Sequence, residues 1–72
     1  MDREEIKSIL AKELCTESLQ DSDLLSELAF DEIDEIYVKM AIETQLGIII
    51  YEDETFKRYP TVGEFVDMVM SL

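Results

Sequence analysis

Carboxylates are the residues of this chain that could do chemistry, and they crowd around position 32. Asp31, Glu32, Asp34 and Glu35 lie close together in the sequence, and paired carboxylates can act as general acid and general base. The chain has one cysteine and no histidine. It therefore lacks the commonest general base, a nucleophile–base pair and the Cys/His cluster that a zinc site needs. We predict that the protein is not an enzyme and that it binds no metal.

The same carboxylates match the start of a helix. Asp31 is a natural N-cap, and Asp34 can substitute for the glutamate of a capping box. The helix dipole favours negative charge in the first turn, and Gly47 is a typical stop signal. A helix is therefore predicted over residues 32–46, packed against several neighbours through two adjacent apolar stripes. The stripes are Ile33, Ile36, Tyr37 and Met40, and Val38, Ile42 and Leu46.

The first half of the chain predicts one more helix and a long connection. Residues 3–14 carry an apolar stripe with helical spacing, and Asp2 with Glu5 forms a capping box. A structureless stretch as long as residues 16–30 is unusual in a small domain. We expect its leucines to hold it against the helices, and residues 23–28 can form a turn of helix. These leucines are Leu19, Leu24, Leu25 and Leu28.

The second half predicts an extended segment and two helices. Residues 48–51 are β-branched or aromatic, but no second strand pattern exists to pair with them, so we interpret them as an extended segment that crosses the core. Residues 52–59 can hold a short helix anchored by Phe56 and ended by Pro60. Residues 61–64 form a capping box that opens the last helix. The inner face of that helix is predicted to be Val62, Phe65, Val66 and Val69.

Composition narrows the class of protein. Seventy-two residues suit one domain, 1–72, and 47% hydrophobic content suffices for a small core. The formal charge of −12 argues against nucleic acid and membrane surfaces and favours partners with basic surfaces. We expect a monomer. The acidic N-terminus, with no signal-peptide segment, predicts a cytoplasmic location. The one cysteine, Cys15, is interpreted as a half-buried structural thiol.

Residues 28–34 read Leu-Ala-Phe-Asp-Glu-Ile-Asp and resemble the attachment segment of acyl carrier proteins, Leu-Gly-x-Asp-Ser-Leu/Ile-Asp. The segments around Gly47 and Thr61 resemble the family's Gly-Ile-x-Ile and Thr-Val-Gly-Asp/Glu segments. The resemblance covers nearly the whole chain. It implies an all-α four-helix bundle with one short helix and a long ordered loop between helices 1 and 2.

In the family, apolar residues also line an acyl cleft, and their counterparts here are interpreted as ordinary core. They are Ile36, Met40, Ile50, Phe56, Val62 and Val66.

Glu32 stands where the family has the serine that carries 4'-phosphopantetheine. A carboxylate cannot form that phosphodiester, because its phosphoryl adduct would be a mixed anhydride that water hydrolyses. Three interpretations of Glu32 stay open: an ordinary helix-start glutamate, a permanent charge where the phosphate would sit in an unmodifiable homologue, or a replacement of a serine that the natural chain has. No cofactor is expected unless residue 32 is serine in the natural chain. Among other hydroxyls, Ser26 is the nearest fallback.

The resemblance also implies a docking face for basic patches of biosynthetic enzymes or a transferase. Its residues would be Asp31, Glu32, Asp34, Glu35, Tyr37 and Glu43. Tyr37 stands where the family usually has an acidic residue, and Lys39 where it usually has an apolar one. A merely solvated acidic face explains the same charges. Two functions follow: an unprimed carrier-type module for docking or regulation in fatty acid or polyketide-type biosynthesis, or a working acyl or peptidyl carrier whose serine is substituted in this chain.

Overall fold

The computed structural model describes residues 1–72, and its backbone is helical apart from loops and one isolated bridge between Leu24 and Thr61. The helices are α1 (Arg3–Glu13), α2 (Leu25–Leu28), α3 (Glu32–Leu46), α4 (Thr55–Arg58) and α5 (Val62–Met70). The all-α carrier-like fold is confirmed. Because the turn in the long connection is a separate helix, the bundle has three long helices and two short ones. No helix combines the length and apolarity needed to cross a bilayer.

Helix α1 begins and ends with recognisable caps. The side chain of Asp2 accepts the N–H of Glu5 while the carboxylate of Glu5 accepts the N–H of Asp2, which confirms the capping box. At the other end, Cys15 has a φ of 56° and Thr16 donates to the carbonyl of Ala11. This is a Schellman motif with cysteine at the position that usually holds glycine. The chain turns away there, so Cys15 is exposed, and its interpretation as a half-buried thiol is wrong.

The long connection is held to the start of α5 mainly by backbone hydrogen bonds. Val62 donates to the carbonyl of Asp23 and Gly63 to that of Asp21, both at 2.9 Å. Glycine suits position 63, because an added Cβ would lie 3.0 Å from the Cβ of Asp21 and would require Asp21 to shift by a few tenths of an ångström. Among the leucines, Leu19 and Leu25 are buried and Leu28 packs against the core. The prediction fails for the side chain of Leu24, which is exposed, although its backbone is held to the start of α5 by a bridge to Thr61.

Helix α3 buries only one of its two apolar stripes. Val38 and Ile42 are fully buried, and Leu46 packs against the core. The other stripe is more than half exposed, so the prediction that both stripes pack is wrong, as is the core interpretation of Ile36 and Met40. Helix α1 packs against both α3 and α5, and it covers a single side of α3. Gly47 ends the helix with a φ of 68°, as predicted.

Helix α5 closes the core. Its predicted inner face is fully buried, and Thr61 caps it by accepting the N–H of Glu64. The reciprocal bond differs from a capping box, because the Glu64 carboxylate accepts the hydroxyl of Thr61 and not its N–H. Phe56 meets Phe65 edge to face with ring centroids 5.5 Å apart, which confirms its role as the anchor of α4. In the extended segment, Ile50 is buried while its neighbours Ile49 and Tyr51 point outward.

A cluster of charges joins α1, the long connection and α5. Arg3 pairs with Asp67 and, at 3.1 Å, with Asp21, and Lys7 also pairs with Asp21. The hydrogen bond from Lys7, supported by the nearby charges of Lys7 and Arg3, lowers the pKa of the Asp21 carboxyl. These pairs join segments that are far apart in sequence, so the sequence alone did not indicate them.

Candidate functional site

The start of α3 places Glu32 at an exposed, capped helix end. Asp31 has extended backbone geometry, and its Oδ1 accepts the N–H of Ile33 at 2.9 Å. Glu32 is the first helical residue and is exposed. Its carboxylate therefore lies at the positive end of the helix dipole, where a negative charge is stabilised by about 0.3–1 kcal/mol. The N-cap prediction is confirmed.

Asp34 acts differently from the prediction. Its Oδ2 accepts the N–H of Phe30 at 2.6 Å, so it fastens the residue ahead of the N-cap and does not complete a capping box with Asp31. The bent chain ahead of the helix brings the N–H of Phe30, and not that of Asp31, within hydrogen-bond distance of the Asp34 carboxylate. The backbone of Phe30 is held in place by this bond, while its side chain is 98% exposed.

Glu35 joins α3 to α4. One of its oxygens accepts both the N–H of Thr55, at 2.7 Å, and the Thr55 hydroxyl, at 2.9 Å. Helix α4 has no side-chain cap of its own, and Glu54, the residue ahead of it, has a φ of 53°. Thr55 is fully buried. Glu35 therefore supplies the missing cap from another helix and satisfies both donors of a buried residue.

Two further contacts fasten the chain after Gly47 along one flank of α3. Glu43 accepts the N–H of Ile50 at 2.8 Å, and Lys39 donates to the carbonyl of Glu52 at 2.7 Å. The carboxylate of Glu52 accepts the hydroxyl of Tyr59, and this hydrogen bond raises the pKa of Tyr59. Glu43, which was predicted as a docking residue, therefore lies in a structural contact.

The six residues of the predicted docking face thus divide by what they contact. Four carboxylates accept backbone N–H groups of the protein itself: Asp31, Asp34, Glu35 and Glu43. Glu32 and Tyr37 face solvent, and the side chain of Tyr37 is 57% exposed. What the sequence missed is the exposed apolar face around Tyr37. The signal was present, because α3 carries two apolar stripes, which is more than one buried face requires.

Two surface depressions flank Glu32. One has a volume of about 390 Å³ and lies between α3 and residues 53–57. Its lining includes Glu32, Lys39 and Lys57. The other lies toward α2 and is lined by Ser26 and Phe56 as well as Glu32. Glu32 therefore stands on the rim between the two, and Ser26 is an exposed hydroxyl beside it.

The chemistry at position 32 does not fit covalent attachment of phosphopantetheine. That linkage needs a hydroxyl oxygen, and the exposed residue at the first position of α3 carries a carboxylate. The surroundings of a helix N-terminus suit a negative charge, whether from a phosphate or from a carboxylate. The start of α3 therefore offers a helix end that favours negative charge but no hydroxyl at residue 32.

The fold and the site together define a small helical carrier-type domain, in which a long ordered loop leads to an exposed residue at the start of the central helix. Residues 4–69 match the profile of the family described as "Phosphopantetheine attachment site", and the chain belongs to this family of phosphopantetheine-binding carriers. No curated protein and no solved structure gave a significant match to the chain.

Proposed function

We propose that the chain is a carrier-type domain of fatty acid or polyketide-type biosynthesis that is not phosphopantetheinylated at residue 32. In this proposal it acts by docking onto other proteins or regulating them and carries no acyl cargo. The observation that supports the proposal is the exposed carboxylate of Glu32 at the capped start of α3, in a chain whose residues 4–69 match the family.

The charge of Glu32 gives the proposal a physical basis. A carboxylate at a helix N-terminus resembles the primed state of a carrier in its negative charge, and it cannot be removed by a hydrolase. A partner that recognises this end of α3 would meet a constant charge. The partners would be basic surfaces of biosynthetic enzymes or of a transferase, because the chain carries a formal charge of −12. A monomer in the cytoplasm is part of the same proposal.

The test is modification by a broad-specificity phosphopantetheinyl transferase with coenzyme A, followed by intact-protein mass spectrometry. The parent chain is compared with Glu32→Ser and with Glu32→Ser/Ser26→Ala. We expect the parent to stay unmodified and both variants to gain one phosphopantetheine group. Circular dichroism of each variant verifies that the helices are intact.

Two results would contradict the proposal. Modification of the parent would show that another residue is the acceptor, and loss of that modification in a Ser26→Ala single variant would identify Ser26. A failure of Glu32→Ser to react, with its fold intact, would show that the site no longer presents itself to a transferase.

A second function is a working acyl or peptidyl carrier whose natural chain has serine at position 32. The observation that favours it is the retained N-cap, since Asp31 still positions residue 32 at the exposed first turn. Conversion of Glu32→Ser at a rate typical of a carrier substrate would favour this function, whereas slow conversion would favour the docking role.

A further inference from the structure

The connection between α3 and α4 runs like a β-strand that has no strand beside it. From residue 48 to residue 53, exposed side chains alternate with buried or half-buried ones. Ile48 and Ile50 contact the core, whereas Ile49 is 58% exposed and Tyr51 is 83% exposed. This period of two is the alternation of a strand that lies on a core by one face. We call residues 48–53 the strand-like segment.

One edge of the strand-like segment is held by α3. In an extended chain, the backbone N–H and C=O groups of successive residues point to opposite edges. The N–H of Ile50 donates to Glu43 at 2.8 Å, and the carbonyl of Glu52 accepts the amine of Lys39 at 2.7 Å. The backbone groups of residues 50 and 52 therefore lie on the edge that faces α3.

The opposite edge of the strand-like segment is free. The N–H and C=O groups of Ile49 and Tyr51, which belong to this edge, form no hydrogen bond within the protein. A row of such groups at every second residue is a template onto which another strand can pair. Natural proteins guard open edges with proline, lysine or other charged residues, and residues 48–51 contain none of these. The edge is therefore open to strand addition.

We infer that the free edge of the strand-like segment binds an extended segment of a partner protein, which adds to it as a β-strand. The partner would carry β-branched residues at every second position and lysine or arginine beside them. This inference specifies a partner for the proposed docking role and rests on that role, but it uses no atom of residue 32.

The side chains beside the free edge select this partner. On the exposed face, Ile49 and Tyr51 would lie next to side chains of the added strand, where β-branched and aromatic neighbours stabilise a sheet. Asp53 is exposed and continues the same face, so it favours a basic residue opposite it. The formal charge of −12 favours a basic partner in the same way.

A second copy of the chain is a poorer occupant of the free edge than a basic strand. Two copies would each bring a formal charge of −12, and each would carry the acidic residues 52–54 at the end of its own strand-like segment. Like charges oppose association, whereas a basic segment is attracted. The same backbone groups therefore favour a partner of opposite charge.

The probe is the peptide Lys-Thr-Val-Thr-Val-Thr-Lys with blocked ends, which spans about 23 Å when extended. Its lysines and valines share one face. The control is the same sequence with every backbone nitrogen methylated, because it keeps the side chains and the charge but has no backbone donor. Binding to the isotope-labelled full chain is followed by NMR in about 0.15 M NaCl. We expect saturable binding of the probe and much weaker binding of the control.

Amide exchange with solvent tests strand addition on the parent chain without any variant. A paired strand would cover the N–H groups of Ile49 and Tyr51, so their exchange rates should fall about tenfold when the peptide saturates the site. The exchange rate of Ile50 should change little, because its N–H is already bonded to Glu43. This alternation along the chain distinguishes backbone pairing from a contact between side chains alone.

Three variants separate the backbone of residue 51 from its side chain. Tyr51→Pro removes both the ring and the N–H, whereas Tyr51→Ala removes the ring and keeps the N–H. Ser18→Pro places proline at an exposed residue of the long connection whose N–H also has no partner in the protein. We expect Tyr51→Pro to weaken binding by about tenfold or more, Tyr51→Ala to weaken it less, and Ser18→Pro to change it by less than about twofold. Circular dichroism verifies that all three fold.

Several results would overturn the inference. Equal binding of the methylated control, equal weakening by Tyr51→Pro and Tyr51→Ala, or unchanged exchange at Ile49 and Tyr51 would each show that no strand is added. Slower exchange that grows with protein concentration alone would identify a second copy as the occupant. The transferase test is independent: failed modification of Glu32→Ser with intact peptide binding would contradict the carrier function alone, and the reverse would contradict this inference alone.

Discussion

Helices α3 and α5 are both rich in apolar residues, yet they use them in different ways. Six of the nine residues of α5 are buried, whereas α3 buries two of its fifteen. In α5 the polar residues occur where the helix faces solvent, so the sequence predicts its buried face correctly. In α3 the apolar residues form two stripes, and packing against the rest of the bundle, mainly against α1, decides which of them is covered.

The difference teaches that apolar content and burial are separate properties of a helix. A helix that is hydrophobic on more than one face is either covered on several sides or presents a surface. In a chain of 72 residues there are too few elements to cover α3 completely. One side of α3 therefore stays exposed to solvent, while α5 supplies most of the buried apolar surface. Substitutions in α5 should therefore lower the free energy of unfolding more than substitutions at the exposed apolar positions of α3.

The largest expected effect is in α5. Phe65→Ala removes a fully buried ring that meets Phe56 edge to face, and such a loss costs about 3–5 kcal/mol. For a domain of this size that is most of the free energy of unfolding. We expect the variant to be largely unfolded at room temperature by circular dichroism. Phe65→Leu, which keeps much of the volume, should still fold; a parent-like melting temperature for Phe65→Ala would contradict the packed role of α5.

An intermediate effect is expected where α3 supports α4. Glu35→Ala leaves the N–H and the hydroxyl of buried Thr55 without their acceptor, which should lower the free energy of unfolding by about 1–3 kcal/mol. Urea unfolding measures this change. Glu35→Gln keeps an acceptor oxygen and should recover part of the loss. The matched control Glu27→Ala, at an exposed glutamate of α2, should stay within about 0.5 kcal/mol of the parent.

A smaller, pH-dependent effect is expected from the charge cluster that joins α1 and α5. Lys7 and Arg3 lower the pKa of Asp21 below its usual value of 3.8, so the ionised carboxylate stabilises the folded state above that value. This contribution is lost as the pH falls through the lowered folded pKa. Asp21→Asn should therefore melt below the parent near neutral pH, and the difference should vanish in acid. A difference that is the same at all pH values would contradict the electrostatic role.

The sequence predicts the helix ends well because their signals are local. The bonds of Asp2, Asp31 and Thr61 each reach only two or three residues along the chain. The location of Glu32 at the exposed start of α3 follows from the same local signals. The all-α class could also be predicted, since helical spacing recurs in every long segment.

Long-range contacts explain what the sequence could not predict. Glu35 and Thr55 are 20 residues apart, and Arg3 and Asp67 are 64 apart, so no spacing rule connects them. The same holds for the buried side of α3, because either apolar stripe satisfies the helical period. Cys15 was misplaced for a local reason: its left-handed backbone conformation is rare for a residue other than glycine.

The smallest expected effect tests the exposed apolar stripe of α3 directly. Ile36→Ala removes a side chain that is 54% exposed, and alanine favours a helix slightly more than isoleucine does. The free energy of unfolding should therefore change by less than about 0.5 kcal/mol. Ile42→Ala, the same change at a fully buried position of the same helix, should cost about 2–5 kcal/mol. If urea unfolding gave equal losses for the two variants, the stripe of α3 that contains Ile36 would be covered in solution. The contrast between α3 and α5 would then disappear.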